Sequence, residues 1–545
     1  MKLMNIILLG FLLIFILLFT KEYFTSGSLN KINPEINSNT IIMDNKDLSK
    51  KTVKIISQKI TYDWIYPYKN KKPSQSIGSG FFIDKEHIIT CSHVIEDSKV
   101  VFIEIPFIGS DRIPVDVIGL CPDLDIALLK VRNNSYKNKD YYELHDNKKI
   151  YEINSGVDVF AIGFPLSQDN LKITKGIISG RDSSLIQTDT PINPGNSGGP
   201  LILDNKVIGI NASHIRNASN IGYAIPISHF YLIKNQLFNS KIKLIRRPFL
   251  GMIYQNSNQA LLDLSKCKCK TGILVKQVFK NSPISKSGIK KNDIICKIND
   301  IEIDNFGLFD IMWFNEKMNL GDILKQVQNN ELIKIEYWRN NVLHKKKFNY
   351  NDYKLPIRTL YHLYENYEIE YEIFGGFIVM ELTNNHIDII SEKILSIVSN
   401  NNSISQRLNN FLSYLDKDNK GDTRLLITHI FPNSYLKNLK ILHEYEIIDT
   451  VNNVKCNTIK EYRDSIKKTK SINNEKYIEI NTEVNSRAVL SLNKILEEEN
   501  GFSKSFKYKL SELYYHFKKN TFKNTFKKSK IKNQKKTFKK SFTKS

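Results

Sequence analysis

The rhythm of apolar and polar positions changes several times along the chain. Residues 4–20 form an apolar run broken only by Asn5, Gly10 and Thr20. Residues 21–50 are polar, rich in Asn and Ser and without periodicity, which predicts a linker. From Val53 onward the pattern becomes short apolar runs separated by turn residues: Gly80–Ile83, Val100–Ile105, Ile126–Val131, Val157–Ile162, Leu201–Leu203, Val207–Ile210 and Ile221–Ile227. Many short strands at fairly even spacing predict an all-β barrel or sandwich. Helical periodicity first appears at His229–Leu237, as one amphipathic helix closing that unit.

Arg246-Arg247-Pro248 marks a boundary. Beyond it, residues 249–350 mix strands (Ile273–Val278, Ile294–Ile298, Ile333–Trp338) with one helix. Leu355–Glu370 is a second connector. Residues 371–495 open with a strand at Gly376–Met380, carry a helix at 387–399 and end in strands such as Lys476–Asn481. Within them Leu425–Ile430, Ile447–Val451 and Thr458–Ile466 repeat the order strand, strand, helix, which reads as a weak internal duplication. Phe506–Phe517 is expected as one further helix. The remainder is low in complexity, has no apolar face to bury and is expected to be disordered.

Composition sharpens this picture at the two ends. The chain has 545 residues, enough for several units with sizeable cores. Its net charge of +23 is uneven: residues 518–545 hold twelve Lys and no acid, just over half of the excess. Phe alternates with Lys in this tail. Nucleic acid, an anionic membrane surface or simple solubilisation would each suit it. The run at 4–20 lies just below the ~18–20 residues of a comfortable membrane span. A retained signal anchor, a cleaved signal peptide and a buried helix stay open. Either of the first two sends the rest of the chain out of the cytosol. Six cysteines are too sparse for a disulfide-stapled fold. Cys91 and Cys121 read as small buried thiols, and Cys267 and Cys269 lack partner ligands nearby in sequence.

Candidate chemistry lies in three segments. An acyl-transfer hydrolase needs a nucleophile, a base, a group to orient the base, and backbone donors for the oxyanion. In TDTPINPGNSGGPL, 188–201, Ser197 is flanked by Gly195-Asn196 and Gly198-Gly199, whose missing Cβ atoms let backbone N–H groups approach a carbonyl. The expected oxyanion site is Gly195, Asn196 and Ser197, with the amides of Gly195 and Ser197 as donors. In IITCSHVIED, 88–97, His93 ends an apolar strand. In PDLDIALLKV, 122–131, Asp125 immediately precedes a buried strand. The order His93, Asp125, Ser197 matches one known order for a catalytic triad.

These segments resemble the chymotrypsin-fold HtrA/Deg proteases. GSGFFI (78–83), AIGFP (161–165), KGIISG (175–180), VIGINAS (207–213) and IGYAIPI (221–227) follow in that family's order. FLGMIYQN (249–256) with the stretch 272–300 resembles a PDZ domain. EIFGGFIVMEL (372–382) and residues 427–456 are similar to the second PDZ-like domain of plant-type Deg proteases. Cys91-Ser92 stands where the family usually has Asn-Ala.

The expected fold is therefore mainly β: a chymotrypsin-like double β-barrel protease domain followed by two α+β PDZ-like domains. The expected division is a signal anchor or signal peptide at 1–24, a linker at 25–52, the trypsin-like protease domain at 53–245, PDZ domain 1 at 247–350, PDZ-like domain 2 at 355–495 and the basic tail at 500–545.

The resemblance implies an ATP-independent serine endoprotease acting on unfolded polypeptides in quality control, assembled as a trimer or hexamer. The cluster Trp64, Tyr66 and Tyr68 is a candidate subunit contact. Asn211-Ala212-Ser213 resembles the segment that lines the S1 pocket. Pro191 stands six residues before the nucleophile, where a trypsin-like preference needs a carboxylate. Cleavage after small or medium apolar residues is expected. Phe249, Leu250, Gly251 and Met252 would capture a peptide C-terminus, and Gly375–Ile378 would serve assembly. No cofactor or metal is expected. The expected location is a membrane, through a single N-terminal anchor with the catalytic domain outside the cytosol. The alternative is a secreted or lumenal protein. A membrane-tethered PDZ peptide-binding scaffold with little proteolysis is the competing function.

Overall fold

The computed structural model describes residues 44–519, apart from segments at 70–72, 133–135, 148–149, 213–220, 240, 242, 312–316, 352, 399–405 and 474. Strands β1 (Thr52–Lys59), β2 (Ser74–Phe82), β3 (His87–Thr90), β4 (Ser98–Glu104), β5 (Ile113–Cys121) and β6 (Ile126–Val131) close into a barrel in the order β1-β2-β3-β6-β5-β4. Val53, Ile55, Phe82, Ile88, Ile103 and Leu129 share one face of these strands by register, and each of them is buried. The one-turn helix α1 (Ser92–Ile95) sits in the turn after β3.

A second barrel follows from β7 (Asp158–Gly163), β8 (Lys172–Asp182), β9 (Leu185–Thr188), β10 (Pro200–Leu203), β11 (Lys206–Ala212) and β12 (Gly222–Pro226). Its order is β10-β7-β8-β9-β12-β11, and the β10–β11 pairing closes the ring. Helix α2 (Ile227–Asn239) buries Ile227, Phe230, Ile233 and Leu237. That spacing gives one apolar stripe at the helical period.

The next module carries helix α3 (Gln259–Leu264) and helix α4 (Leu320–Gln326) with a sheet of β13 (Met252–Gln255), β14 (Ile273–Val278), β15 (Ile294–Ile298), β16 (Leu332–Arg339) and β17 (Val342–Asn349), in that spatial order. On β16, Ile333, Ile335 and Tyr337 alternate inward. The outer strand β17 carries the exposed Lys345, Lys346 and Lys347, which blunts an otherwise adhesive sheet edge. Cys269 bridges to Cys296 on β15. The sequence presents Cys267 and Cys269 only as candidate metal ligands and does not foretell this bridge. Folding brings in a residue far along the chain, which local spacing does not reveal.

The last module pairs β18 (Tyr371–Ile373), β19 (Phe377–Glu381), β20 (Leu425–Ile430), β21 (Ile447–Val451), β22 (Lys470–Ile472), β23 (Glu475–Thr482) and β24 (Arg487–Ser491). The path is β18-β19-β20-β21-β23-β22, with β24 on β23. Helix α5 (Asn384–Val398) is inserted between β19 and β20, and helix α6 (Leu492–Phe506) closes the module. The expected helix across 506–517 is corrected: α6 stops at Phe506, where Lys507 takes φ +60°, and a new helix begins at residue 512. Leu513, Tyr514 and Phe517 are buried in the same core as Ile427 and Tyr462. The module therefore runs about twenty residues beyond the expected limit of 495, because its apolar face is completed from the segment assigned to the tail.

Trp64, Tyr66 and Tyr68 are also reassigned. Trp64 packs with Ile373, Ile378, Met380, Phe431 and Tyr508. Tyr66 stacks edge-on against His429, and Tyr68 meets Phe431 and Tyr508. The cluster is spent on the last module of its own chain rather than left as a subunit contact. The apolar run at 4–20 and the lysine-rich residues 520–545 lie outside the described residues. Among the described residues no helix is long and apolar enough to cross a membrane.

Candidate active site

The candidate base, His93, lies on α1. His93 Nδ1 lies 2.8 Å from Asp125 Oδ2, and the His93 backbone N–H donates to Asp125 Oδ1 at 3.0 Å. One carboxylate thus fixes both the ring and the backbone of the same histidine. It reaches both because Asp125 takes φ +54°, a left-handed conformation that Asp tolerates better than most residues. The Asp125 amide donates to the Pro122 carbonyl, and its own carbonyl accepts from Ser92 N–H. The His93 side chain is 35% exposed against 15% for Asp125, so the ring faces the cleft and the carboxylate sits behind it.

The loop carrying the candidate nucleophile Ser197 runs between the barrels. Ser79 on β2 donates through its hydroxyl to the Gly195 carbonyl at 2.6 Å and accepts from Phe164 N–H at 3.0 Å. Its own amide donates to the Ser197 carbonyl at 2.9 Å. The Asn211 carbonyl accepts from the Gly198 amide and from the Cys91 thiol, the latter at 3.3 Å. These contacts set the loop carrying Ser197 against β2 and against Cys91, two residues before His93. Gly195 and Gly198 sit at φ +101° and +89°, and a Cβ at either would strike backbone oxygens of Phe164 or Ser79. Glycine is therefore required at both positions. The amides of Asn196 and Gly199 are engaged by Asn193 and Asn196 carbonyls, whereas no acceptor among the described residues meets the Gly195 amide.

Other expected residues fall differently. The Asn211 side chain is fully buried and donates to the Ile162 and Pro200 carbonyls, so it braces the loop. Ala212 is buried on β11, and Ser213 lies outside the described residues. Pro191 is exposed. Burial pushes the Cys91 thiol well above its usual range, with the nearby Asp125 charge adding to the shift, so it stays a neutral donor.

Sequence reasoning missed the support behind α1. Lys59 Nζ donates to the His93 carbonyl at 2.9 Å. Tyr364 donates to the Ile95 carbonyl at 3.3 Å, and His362 Nδ1 lies 3.1 Å from Asp97. Tyr361 borders a cavity of about 410 Å³ that runs behind the His93–Asp125 pair and that Ser197 does not line. From the neighbouring module Lys325 reaches the same cavity, and Asp322 accepts from the Ser183 hydroxyl. Burial, with Lys325 and Arg247 nearby, pushes the His229 imidazole down to about 3, so it is neutral there. The only sequence trace of this wall is the aromatic spacing of the 355–370 connector.

A second cavity, of about 430 Å³, runs between β13 and α4. Its walls include Phe249, Leu250, Met252, Ile253 and Leu324. Gly251, between the lining residues Leu250 and Met252, takes φ +88°. In the last module the equivalent loop is filled: the Gly375 amide donates to the buried Glu499 carboxylate of α6 at 2.8 Å.

Residues 78–210 match the trypsin-like peptidase domain and residues 242–319 match the PDZ domain. A relative from Pseudomonas putida, described as a probable periplasmic serine endoprotease DegP-like, is 34% identical over 244 residues, covering 42% of this chain and 48% of that protein. The putative protease Do-like 13 of Arabidopsis thaliana is 27% identical over 361 residues, covering 61% of this chain and 70% of that protein. The chain thus spans about half the length of the bacterial relatives it matches. Among solved structures, the HtrA-type protease AlgW with decapeptide aligns at 21% identity and TM-score 0.43, covering 57% of this chain and 98% of that one.

The expected membrane-anchored location is corrected by these relatives. Those that match the protease and first PDZ region are described as periplasmic rather than membrane-bound. The longest described helices, α5 and α6, have 15 residues each, short of the ~20 a span requires. The peptidase and PDZ matches stand in the order that the motifs require, and the relatives that share this region are described as DegP-like and Do-like proteases.

Proposed function

We propose that this chain is a serine endopeptidase that cleaves unfolded polypeptides without a cofactor. The observation that carries this reading is the two-pronged hold of Asp125 on His93, beside a nucleophile loop with an unengaged Gly195 amide. In this mechanism His93 removes the proton of Ser197 as the hydroxyl attacks a peptide carbonyl. Asp125 keeps the proton on Nδ1 and stabilises the imidazolium that forms. The amides of Gly195 and Ser197 receive the developing oxyanion. His93 then protonates the leaving amine, and water releases the acyl group by the reverse sequence.

Cleavage after small or medium apolar residues is the proposed preference, supported by the absence of a carboxylate at position 191. The groove between β13 and α4 is proposed to take a peptide C-terminus as an added strand. The active form is proposed to be a trimer or hexamer. A fluorophosphonate probe tests the core of the reading. Wild type should label at Ser197 and degrade unfolded casein, and Ser197→Ala should lose label and about 10⁶ of turnover. Equal casein cleavage by both proteins, or none by either, would leave a peptide-binding scaffold as the better account. A peptide library dominated by Arg or Lys before the cut would refute the preference, and a monomer by light scattering would refute the assembly.

A further inference from the structure

Residues 265–270 read Ser-Lys-Cys-Lys-Cys-Lys, so Cys267 and Cys269 each have lysine on both sides. Cys269 is bonded to Cys296, 27 residues further on. Cys267 is a free, half-buried thiol, and its sulfur lies within 4.8 Å of both sulfurs of the bridge. The three cysteines share an apolar nest with Leu262, Leu274, Ile294 and Trp338. Two hydrogen bonds pin the loop that carries Cys267: its amide donates to the Leu262 carbonyl at 2.8 Å, and Trp338 Nε1 donates to the Ser265 carbonyl at 3.2 Å.

A tetrahedral zinc site would need a fourth ligand. Among the described residues no His, Asp or Glu joins the three sulfurs. Thiol–disulfide chemistry needs only what is present: a thiolate beside a disulfide, with a good leaving group.

We propose that Cys267, Cys269 and Cys296 form a thiol–disulfide exchange site in which Cys267 attacks the Cys269–Cys296 bond. The Cys267 thiolate bonds to the Cys296 sulfur while the Cys269–Cys296 bond breaks. The Cys269 sulfur departs as a thiolate and takes up the proton that Cys267 released to water. One disulfide and one thiol stand on each side of the step, so no outside oxidant or reductant is consumed. Lys268 and Lys270 favour the departing thiolate electrostatically. Burial raises the Cys267 thiol, so attack speeds up as pH rises towards its ionisation. Exchange leaves Cys296 on β15 bonded and shifts its partner in the 265–270 loop by two residues. This lies just before Thr271 and Gly272, which hydrogen-bond to Ile303 and Asn305 at the entry to β14.

The sequence makes the site easy to map, since trypsin cuts after Lys268 and puts Cys267 and Cys269 on separate peptides. Full-length protein purified without reductant would be held at pH 6 and pH 8.5, quenched with N-ethylmaleimide in denaturant at pH 6, and mapped unreduced. Both Cys269–Cys296 and Cys267–Cys296 pairs are expected. Their interconversion should be roughly tenfold faster per pH unit below the thiol pKa. In a glutathione-disulfide buffer Cys269→Ser should still form a bridge, now from Cys267, with circular dichroism reporting that it folds. Cys269–Cys296 as the sole bridged pair at both pH values would overturn the proposal, as would three free thiols with bound zinc in native mass spectrometry. The wild-type map decides the matter even if the variant does not fold.

Discussion

Asp125 shows how much one side chain is asked to do. Its two oxygens are committed to the ring and the amide of His93, and its left-handed backbone makes that double reach possible. Asp125→Asn keeps the shape and offers an amide where the Nδ1 proton must be accepted, which favours the wrong imidazole tautomer. Turnover should fall by about 10⁴ with KM little changed. Steady-state kinetics on a peptide substrate checks this, and a loss below tenfold would mean that Asp125 is only a strut. The pairing of His93 with Asp125 was legible in the sequence because both sit at strand boundaries beside turn residues that leave a local trace. The roles of Lys59 and Asn211 were not. A lysine that braces a carbonyl and an asparagine turned inward look, in sequence, like any surface lysine or pocket residue.

Helix α6 acts on the last module as a bound ligand would. Glu499 is buried, accepts from the Gly375 amide at 2.8 Å and from the Tyr508 hydroxyl at 2.8 Å. Burial, helped by Glu372 and Glu498, raises its carboxyl to about 7 against those two stabilising hydrogen bonds. The folded state therefore holds a proton that the unfolded chain gives up near pH 4.5. Stability from this site is fully present below that pH and is lost as pH rises through about 7. Hydrogen exchange in α6 should quicken between pH 5 and 8, and Glu499→Gln should flatten the dependence. An unchanged slope in the variant would assign the effect elsewhere. Strands such as Leu425–Ile430 and Ile447–Val451 were legible to the residue because apolar runs between turn residues announce them. The break at Lys507 was not, since a left-handed lysine leaves no mark that distinguishes it from a helical one.

At the scale of the whole molecule, the segment carrying Trp64 joins the beginning of the protease region to the last module. Trp64 is 7% exposed and is enclosed by Ile373, Ile378, Met380 and Phe431. Trp64→Ala should cost about 3–5 kcal/mol at that junction. In urea, the transition reporting on the last module should move to lower denaturant, while that of the barrels stays in place. Coincident shifts of both would mean that the chain unfolds as one unit. The succession of barrels and PDZ module could be read from motif order. The way the modules lean on one another could not, because aromatic residues at 64–68 and 361–364 give the same hydropathy whether they face a partner or their own chain.

The tyrosine and histidine pair at 362–364 props up the back of α1 from a connector whose Tyr364 lies 269 residues beyond Ile95. A fragment trimmed to the two barrels would keep all three reactive side chains and still lose a wall of the chamber behind them. Shortened versions of this chain are therefore poor stand-ins for testing the proposed activity: a loss in them would report a missing buttress.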